Sequence, residues 1–264
     1  MIRRFRQYLA PRAEPARTVA VPPGERVYAV GDIHGRLDLF EQLIAAIDAD
    51  DAARGSARTT VILLGDLVDR GPDSAGVIEA AREWGRRRTV RVLAGNHEEM
   101  FLDSFERLET LRHFLRYGGK ETVLSYPIDP ATYRDLSLEE LQQRMRAAVP
   151  REHREFLMNA EDWIRIGDYL FVHAGIRPGV PMAEQRLSDM RWIRDRFIEH
   201  EGDHGFVVVH GHTISDEVEE LPNRIGIDTG AFMSGRLTAL GLEGSGRWYL
   251  VARDANASAD DQAA

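Results

Sequence analysis

The sequence predicts an α/β protein, and three observations carry that expectation. Apolar runs at 27–30, 61–64 and 90–93 have the length and β-branched content of buried strands. Between them Leu37, Phe40, Leu43, Ile44 and Ile47 recur at helical spacing, and 76–84 reads as a second helix, so that strand, helix, strand, helix, strand follow in order. Each run stops at a glycine followed by a chemically capable side chain: Gly31-Asp32-Ile33-His34-Gly35, Gly65-Asp66-Leu67-Val68-Asp69-Arg70-Gly71 and Gly95-Asn96-His97-Glu98. Right-handed crossovers gather such turns at the C-terminal edge of a parallel sheet, where α/β proteins collect their ligands.

The remaining elements follow along the chain. Residues 1–24 form a basic, Pro-rich lead-in, expected as a flexible arm. Met1, Phe5, Tyr8 and Leu9, with Arg3, Arg4 and Arg6 between them, would also suit a short interfacial helix, but the prolines at 11, 15, 22 and 23 favour a frayed arm. One catalytic domain is expected over 25–253, with a polar loop at 48–58. From about 99 to 160 the apolar spacing turns helical, with Ser137 and Glu140 placed as a capping box, and this stretch reads as a helical insertion. It would either wall a substrate cleft or simply cover the sheet. A hairpin over 163–166 and 169–172 ends at His173-Ala174-Gly175, and a buried strand at 207–209 ends at His210-Gly211-His212. Stretches 225–228, 237–242 and 248–251 read as an antiparallel meander, and 254–264 as a disordered tail. Trp163, Trp192 and Trp248 are expected in the core.

Composition narrows the function. A net charge of -9, from 34 basic and 43 acidic residues, argues against a nucleic-acid surface. Without cysteine there is no disulfide, thiol nucleophile or thiolate ligand, so a metal would have to be held by carboxylate, amide and imidazole groups. No apolar run is long enough to span a membrane and no secretory signal is visible, so a cytoplasmic location is expected.

Five strand ends thus offer two carboxylates, an amide oxygen and several imidazoles. One histidine at a strand end is ordinarily a satisfied polar residue, but several among Gly-Asp turns point to a metal centre. Oxygen ligands mixed with imidazoles suit manganese, with iron or zinc also able to serve, better than calcium. Asp32, His34, Asp66, Asn96, His173 and His212 are too many ligands for one ion that must leave positions open, which implies two ions with Asp66 between them. His210, across the strand from His212, is expected to support rather than ligate. Asp228 could back a ligand or cap a turn.

The three turns together resemble the signature of the calcineurin-like metallophosphoesterases, and more narrowly the bacterial and phage branch of the PPP-type serine/threonine phosphatases. The resemblance runs from about residue 27 to 242. It implies a four-layer αββα sandwich of two sheets flanked by helices. It also implies one metal held by Asp32, His34 and Asp66, and a second by Asp66, Asn96, His173 and His212. In the same way Arg70 corresponds to a phosphate clamp, His97 to the general acid, Asp69 to its orienting carboxylate and Arg194 to a second clamp, with Arg191 and Arg196 beside it as surface charge. The implied reaction is hydrolysis of phosphoserine or phosphothreonine in a phosphoprotein.

The chemistry is coherent on its own terms. Two ions about 3.5–4 Å apart acidify a bridging water and align it for in-line attack, so no protein nucleophile is needed. Arg70 can grip phosphate bidentately, and a protonated His97 can donate to a leaving alkoxide. A symmetrical dinucleoside tetraphosphate hydrolase, using the same metals, is the rival, since 227–230 and 235–240 resemble both groups. A phosphate-binding module that has lost catalysis is the rival from another class. Asp69 and Glu98 favour the protein phosphatase, because the dinucleotide hydrolases resemble Val-Ala-Arg-Gly and Asn-His-Asp at those places. A serine alkoxide is the more basic leaving group and gains more from an acid held by a carboxylate.

Overall fold

The computed structural model describes residues 18–254. The chain runs through β1 (Glu25–Val30), α1 (Leu37–Ala53), β2 (Arg58–Leu63), α2 (Ser74–Arg87) and β3 (Val90–Val92). Six helices follow: α3 (Asn96–Ser104), α4 (Leu108–Phe114), α5 (Lys120–Leu124), α6 (Pro130–Asp135), α7 (Leu138–Ala148) and α8 (Arg151–Met158). Then come β4 (Trp163–Ile166), β5 (Tyr169–Val172), α9 (Leu187–Trp192), α10 (Asp195–Ile198), β6 (Val207–His210), β7 (Glu219–Glu220) and β8 (Arg224–Gly226). Helix α11 (Ala231–Ser234) and the hairpin β9 (Arg236–Glu243) and β10 (Gly246–Arg253) complete the described chain.

The strands form two mixed five-stranded sheets, ordered β10-β9-β1-β2-β3 and β4-β5-β6-β8-β7. Alternation along each strand explains why the two must stack. Tyr28 and Val30 of β1, with Val61 and Leu63 of β2, face a core shared with α1, α2 and the insertion helices. Their neighbours Val27, Ala29 and Ile62 face Tyr169, Phe171, Val207, Val209 and Ile225 of the other sheet. On that sheet's far side Leu170, Val172 and Val208 pack against Met190, Ile193 and Phe197 from α9 and α10. Helix, sheet, sheet, helix is the four-layer sandwich, and strands buried on both faces account for the continuous apolar runs.

Three expectations are corrected. The polar stretch 48–53 is the last part of α1 rather than loop, because its acidic residues accept bonds from groups on the sheet and on α2: Tyr28 to Asp50 at 2.6 Å, Arg26 to Asp51 at 2.7 Å and Trp84 to Asp48 at 3.1 Å. The three C-terminal stretches are not one meander. β8 runs parallel to β6 in the second sheet, while β9 crosses to pair antiparallel with β1 in the first. Trp163 and Trp192 are not core residues but stand about two-fifths exposed, at 40% and 41%.

Capping Ser137 does accept from the Glu140 amide at 3.2 Å, and the insertion covers the first sheet with Phe101, Leu111, Phe114, Val123, Leu141 and Met145. Of the lead-in, residues 1–17 lie outside the described residues, as does the tail from 255. The end of the lead-in is tied down: Val21 is buried and donates to Gly244 O at 2.9 Å, and Ala20 exchanges bonds with Asp168. No helix among the described residues is long and apolar enough to cross a membrane.

Candidate metal centre

The C-terminal ends of β1, β2 and β3 in one sheet meet those of β5 and β6 in the other. Asp32, His34, Asp66, Asp69, Asn96, His97, His173 and His212 are all buried there. Among the described residues only five other than glycine have a positive φ, and all five belong to this group with its clamp: His34, Asp66, Asp69, Arg70 and His212. Left-handed backbone costs such residues energy, so its concentration here marks loops held in place by their surroundings. Gly65, at φ 100°, makes room for the meeting: a Cβ there would lie 2.8 Å from Gly95 N.

Asp66 is the centre. Its Oδ2 is 3.6 Å from His34 Nε2 and its Oδ1 is 3.4 Å from His173 Nε2. Two groups of potential ligand atoms share it, His34-Asp66-His97 and Asp66-His173-His212. Asn96 Oδ1 lies 3.0 Å from His173 Nε2. Asp32 belongs to neither group; its Oδ2 accepts from the His212 amide at 3.0 Å.

These residues fit a pair of cations on observations of their own. His34 Nδ1 donates to Val68 O and His173 Nδ1 to Leu64 O, both at 2.8 Å, so each neutral ring turns the lone pair of Nε2 inward. Asp32 Oδ1 and His212 Nε2 are buried without a hydrogen-bond partner. Burial pushes His173 down to about 4, and drives His34 and His212 well below their ordinary values, so all three are in the ligating form at neutral pH. Burial, then the charges of Asp228 and Asp66, push Asp32 well above the carboxylate range. A buried carboxylate oxygen and an imidazole nitrogen left without a partner, beside further carboxylates, are the donor set a divalent cation takes.

The neighbours of the chemistry are equally defined. His97 Nδ1 donates to Asp69 Oδ2 at 2.6 Å. Arg70 places NH1 3.0 Å from His34 Nε2 and NH2 3.0 Å from His97 Nε2, with Phe232 under its guanidinium at 4.7 Å. Burial, with the Arg70 charge, holds His97 below its ordinary value against the pull of Asp66 and Glu98.

Arg194 is exposed at the rim, and its charge helps to depress His212. Arg191 has a different task, joining Glu99 at 3.0 Å and Asp162 at 2.8 Å, while Arg196 is exposed. His210 stays apart, with Nδ1 3.0 Å from Gly211 O and Phe197 edge-on. Asp228 accepts from Gly230 N at 2.9 Å, which caps the turn, and its charge acts on Asp32.

Sequence reasoning missed the groups that hold the loops. Glu98 Oε2 accepts from Asp66 N at 2.8 Å and Gly95 N at 3.0 Å, and its Oε1 from Leu67 N at 2.7 Å, so it staples the second turn to the third. Thr122 and Ser74 hold Asp69. A carboxylate three residues after Gly95 was a visible capping signal, whereas lone hydroxyls carry no pattern.

Comparison with known proteins gives the family. The family model for calcineurin-like phosphoesterases matches residues 25–231. A symmetrical bis(5'-nucleosyl)-tetraphosphatase of Delftia acidovorans is 32% identical over 152 residues, 58% of this chain and 45% of that protein. The chain thus spans less than half the length of that relative. Serine/threonine-protein phosphatase 1 of Salmonella typhimurium is 26% identical over 225 residues, 80% of this chain and 89% of the relative. A crystal structure provisionally described as a diadenosine tetraphosphatase superposes with a TM-score of 0.62 at 22% identity, covering 90% of this chain and 99% of its own, and shares the fold. With its carboxylates and imidazoles set around Asp66 on this sandwich, the chain belongs to the calcineurin-like phosphoesterase family of metal-dependent hydrolases.

Proposed function

We propose that the chain is a phosphomonoesterase acting on phosphoserine and phosphothreonine in proteins. The observation that carries this reading is the 2.6 Å contact between His97 Nδ1 and Asp69 Oδ2. Asp32, His34 and Asp66 would hold one divalent ion and Asp66, Asn96, His173 and His212 the other, with manganese as the preferred metal. Bound there, the ions supply Lewis acidity and an acidified water. Arg70 and Arg194 take the phosphate oxygens. As Arg70 turns to the phosphate it releases His97 Nε2, which can then carry a proton beside the dianion. That proton passes to the departing serine oxygen while Asp69 keeps the ring oriented. Glu98 weighs less in the choice of substrate than its place in the motif suggested, because it binds loop amides and not the imidazole.

A second reading, symmetrical hydrolysis of dinucleoside tetraphosphates, is favoured by the Delftia relative and by the flat rings at the mouth. Phe232 lies under Arg70, and Trp192 is 6.5 Å from His212. Such rings can stack on a base. The test is turnover of a phosphoserine peptide, a phosphotyrosine peptide and diadenosine tetraphosphate side by side with manganese supplied. The phosphoserine peptide is expected to show the highest kcat/KM. A higher value for the dinucleotide, with diphosphate as sole product, would establish the second reading instead.

A further inference from the structure

Residues 115–119 form one π-helical turn between α4 and α5, broken at Gly118, whose φ is 103°. This segment of the insertion touches the site at two places. Gly118 O accepts from Arg70 N at 3.0 Å, and a Cβ on Gly118 would stand 2.7 Å from Arg70 Cγ. Four residues on, Thr122 Oγ1 donates to Asp69 Oδ1 at 2.6 Å and accepts from Asp69 N at 2.8 Å. Its remaining lone pair faces Ser74 Oγ at 2.9 Å, so this hydroxyl has used all its hydrogen-bonding capacity. Ser74 Oγ in turn accepts from Asp69 N at 3.0 Å. Thr122, Ser74 and Asp69 have no measurable exposure.

Asp69 and Arg70 are consecutive and both left-handed, at φ 74° and 71°. Two such residues in a row persist only where the surroundings over-determine them. Here the determinants come from outside the turn, from Gly118 and Thr122 on the insertion and Ser74 at the start of α2. Removing the Thr122 hydroxyl leaves one oxygen of a buried carboxylate without its short bond, and frees the other to swing away from His97.

From this chain of contacts we infer that Thr122 is a positioning residue, which fixes Asp69 and through it the imidazole of His97 at the angle needed for proton delivery. The inference rests on the phosphomonoesterase reading. In the step concerned water adds to phosphorus and the bond from phosphorus to the ester oxygen breaks. That oxygen leaves with the electron pair and takes the proton from His97 Nε2, giving an alcohol and inorganic phosphate. A weakly basic leaving oxygen needs the proton little and a strongly basic one needs it much, so an orientation defect shows as selective loss on poor leaving groups.

The experiment is steady-state kinetics with manganese on phenyl phosphate and 4-nitrophenyl phosphate for the native chain, Thr122→Val and Thr122→Ser. Thr122→Val, of nearly the same shape, is expected to lower kcat on phenyl phosphate by at least ~10-fold with KM within about twofold, and to change 4-nitrophenyl phosphate turnover by less than ~3-fold. Thr122→Ser is expected to restore both to within ~3-fold of the native chain. Should Thr122→Val not fold, Ser74→Ala removes one partner of Thr122 and is expected to give a smaller loss with the same leaving-group bias. Equal losses on the two substrates, or no loss, would overturn the positioning role. Failure of the native chain to hydrolyse either ester would sink the phosphomonoesterase reading itself and is a separate result.

Discussion

The first sheet buries charge at both of its ends, and the two ends treat it in opposite ways. At the start of β1, Arg26 is fully buried. Its guanidinium reaches Asp51 at 2.7 Å, Glu243 at 2.9 Å and the carbonyls of Asp51, Arg54 and Gly55 at the close of α1. Asp51 is met by Thr59 and Arg88, both at 2.7 Å, and Asp50 by Tyr28, Arg54 and Trp248. Although burial alone would raise Asp50 and Asp51, these partners hold both below the usual carboxylate value. At the other end of the same strand Asp32 lies against Asp228 and Asp66, is pushed upward, and keeps one oxygen without a partner. Burial is common to both ends, and what distinguishes the functional end is a buried carboxylate oxygen and an imidazole nitrogen that no group of the chain meets.

The strongest way to break this contrast is to remove the shared carboxylate. Asp66→Asn is expected to lower turnover by on the order of a thousandfold, and to lose more metal than Asp32→Asn, since Asp66 lies in both ligand groups. Metal content by mass spectrometry after gel filtration, beside the rate, checks this; one tightly bound ion per chain at full activity would refute the two-metal assignment. Folding stability of the metal-free chain should barely suffer, because an asparagine Oδ1 can still accept from His97 N as Asp66 does.

The opposite end should respond in the opposite sense. Arg26→Met removes the donors to the last carbonyls of α1 and one partner each from Asp51 and Glu243, while Thr59 and Arg88 still hold Asp51, so a loss of ~1–3 kcal/mol in unfolding free energy is expected. Activity per folded molecule should be unchanged. Urea titration and active-site counting separate the two, and a large rate effect without destabilisation would erase the distinction between the ends.

How legible this was from sequence depends on what each feature needs. Periodicity carried β1, β2, β3 and the hairpin of β4 and β5, because each is a local pattern with a local turn. It failed for 48–53, where the side chains that make Asp48, Asp50 and Asp51 good helix residues sit on β1, α2 and β10. It failed for β8 because pairing partners are not written in a strand's own alternation. Site residues were visible as Gly-Asp, Gly-Asn and His-Gly-His strand ends. Their pairing as two groups around Asp66, and the hold of Thr122 and Ser74 on Asp69, arise only once two sheets and an insertion meet.

Between metal and fold lies the acid. His97→Asn is expected to keep both ions and to lose on the order of a hundredfold in turnover of a phosphoserine peptide, with metal content measured beside the rate. The loss on 4-nitrophenyl phosphate should be much smaller. Equal losses with full metal content would show that His97 does not deliver the proton.

The smallest effect tests the comparison most directly. If Asp32 is strained by its neighbours, Asp32→Asn should stabilise the metal-free chain, by ~1–2 kcal/mol, because a buried charge without a cation is worse than a neutral group of the same shape. The amide it introduces can donate to Asp228. The sign with pH follows from linkage. The folded-state pKa of Asp32 is raised, so the folded chain resists ionisation that the unfolded chain accepts above about pH 4. The advantage of Asp32→Asn should therefore be complete at alkaline pH and shrink as the pH falls and Asp32 of the native chain takes up its proton. Denaturant midpoints in chelator at pH 8 and pH 5 provide the readings. With saturating manganese the order should invert, since the ions then supply the missing charge and stabilise only the chain that binds them. A variant less stable than the native chain in chelator at both pH values would mean that Asp32 is satisfied without metal, and that the two ends of the sheet are alike after all.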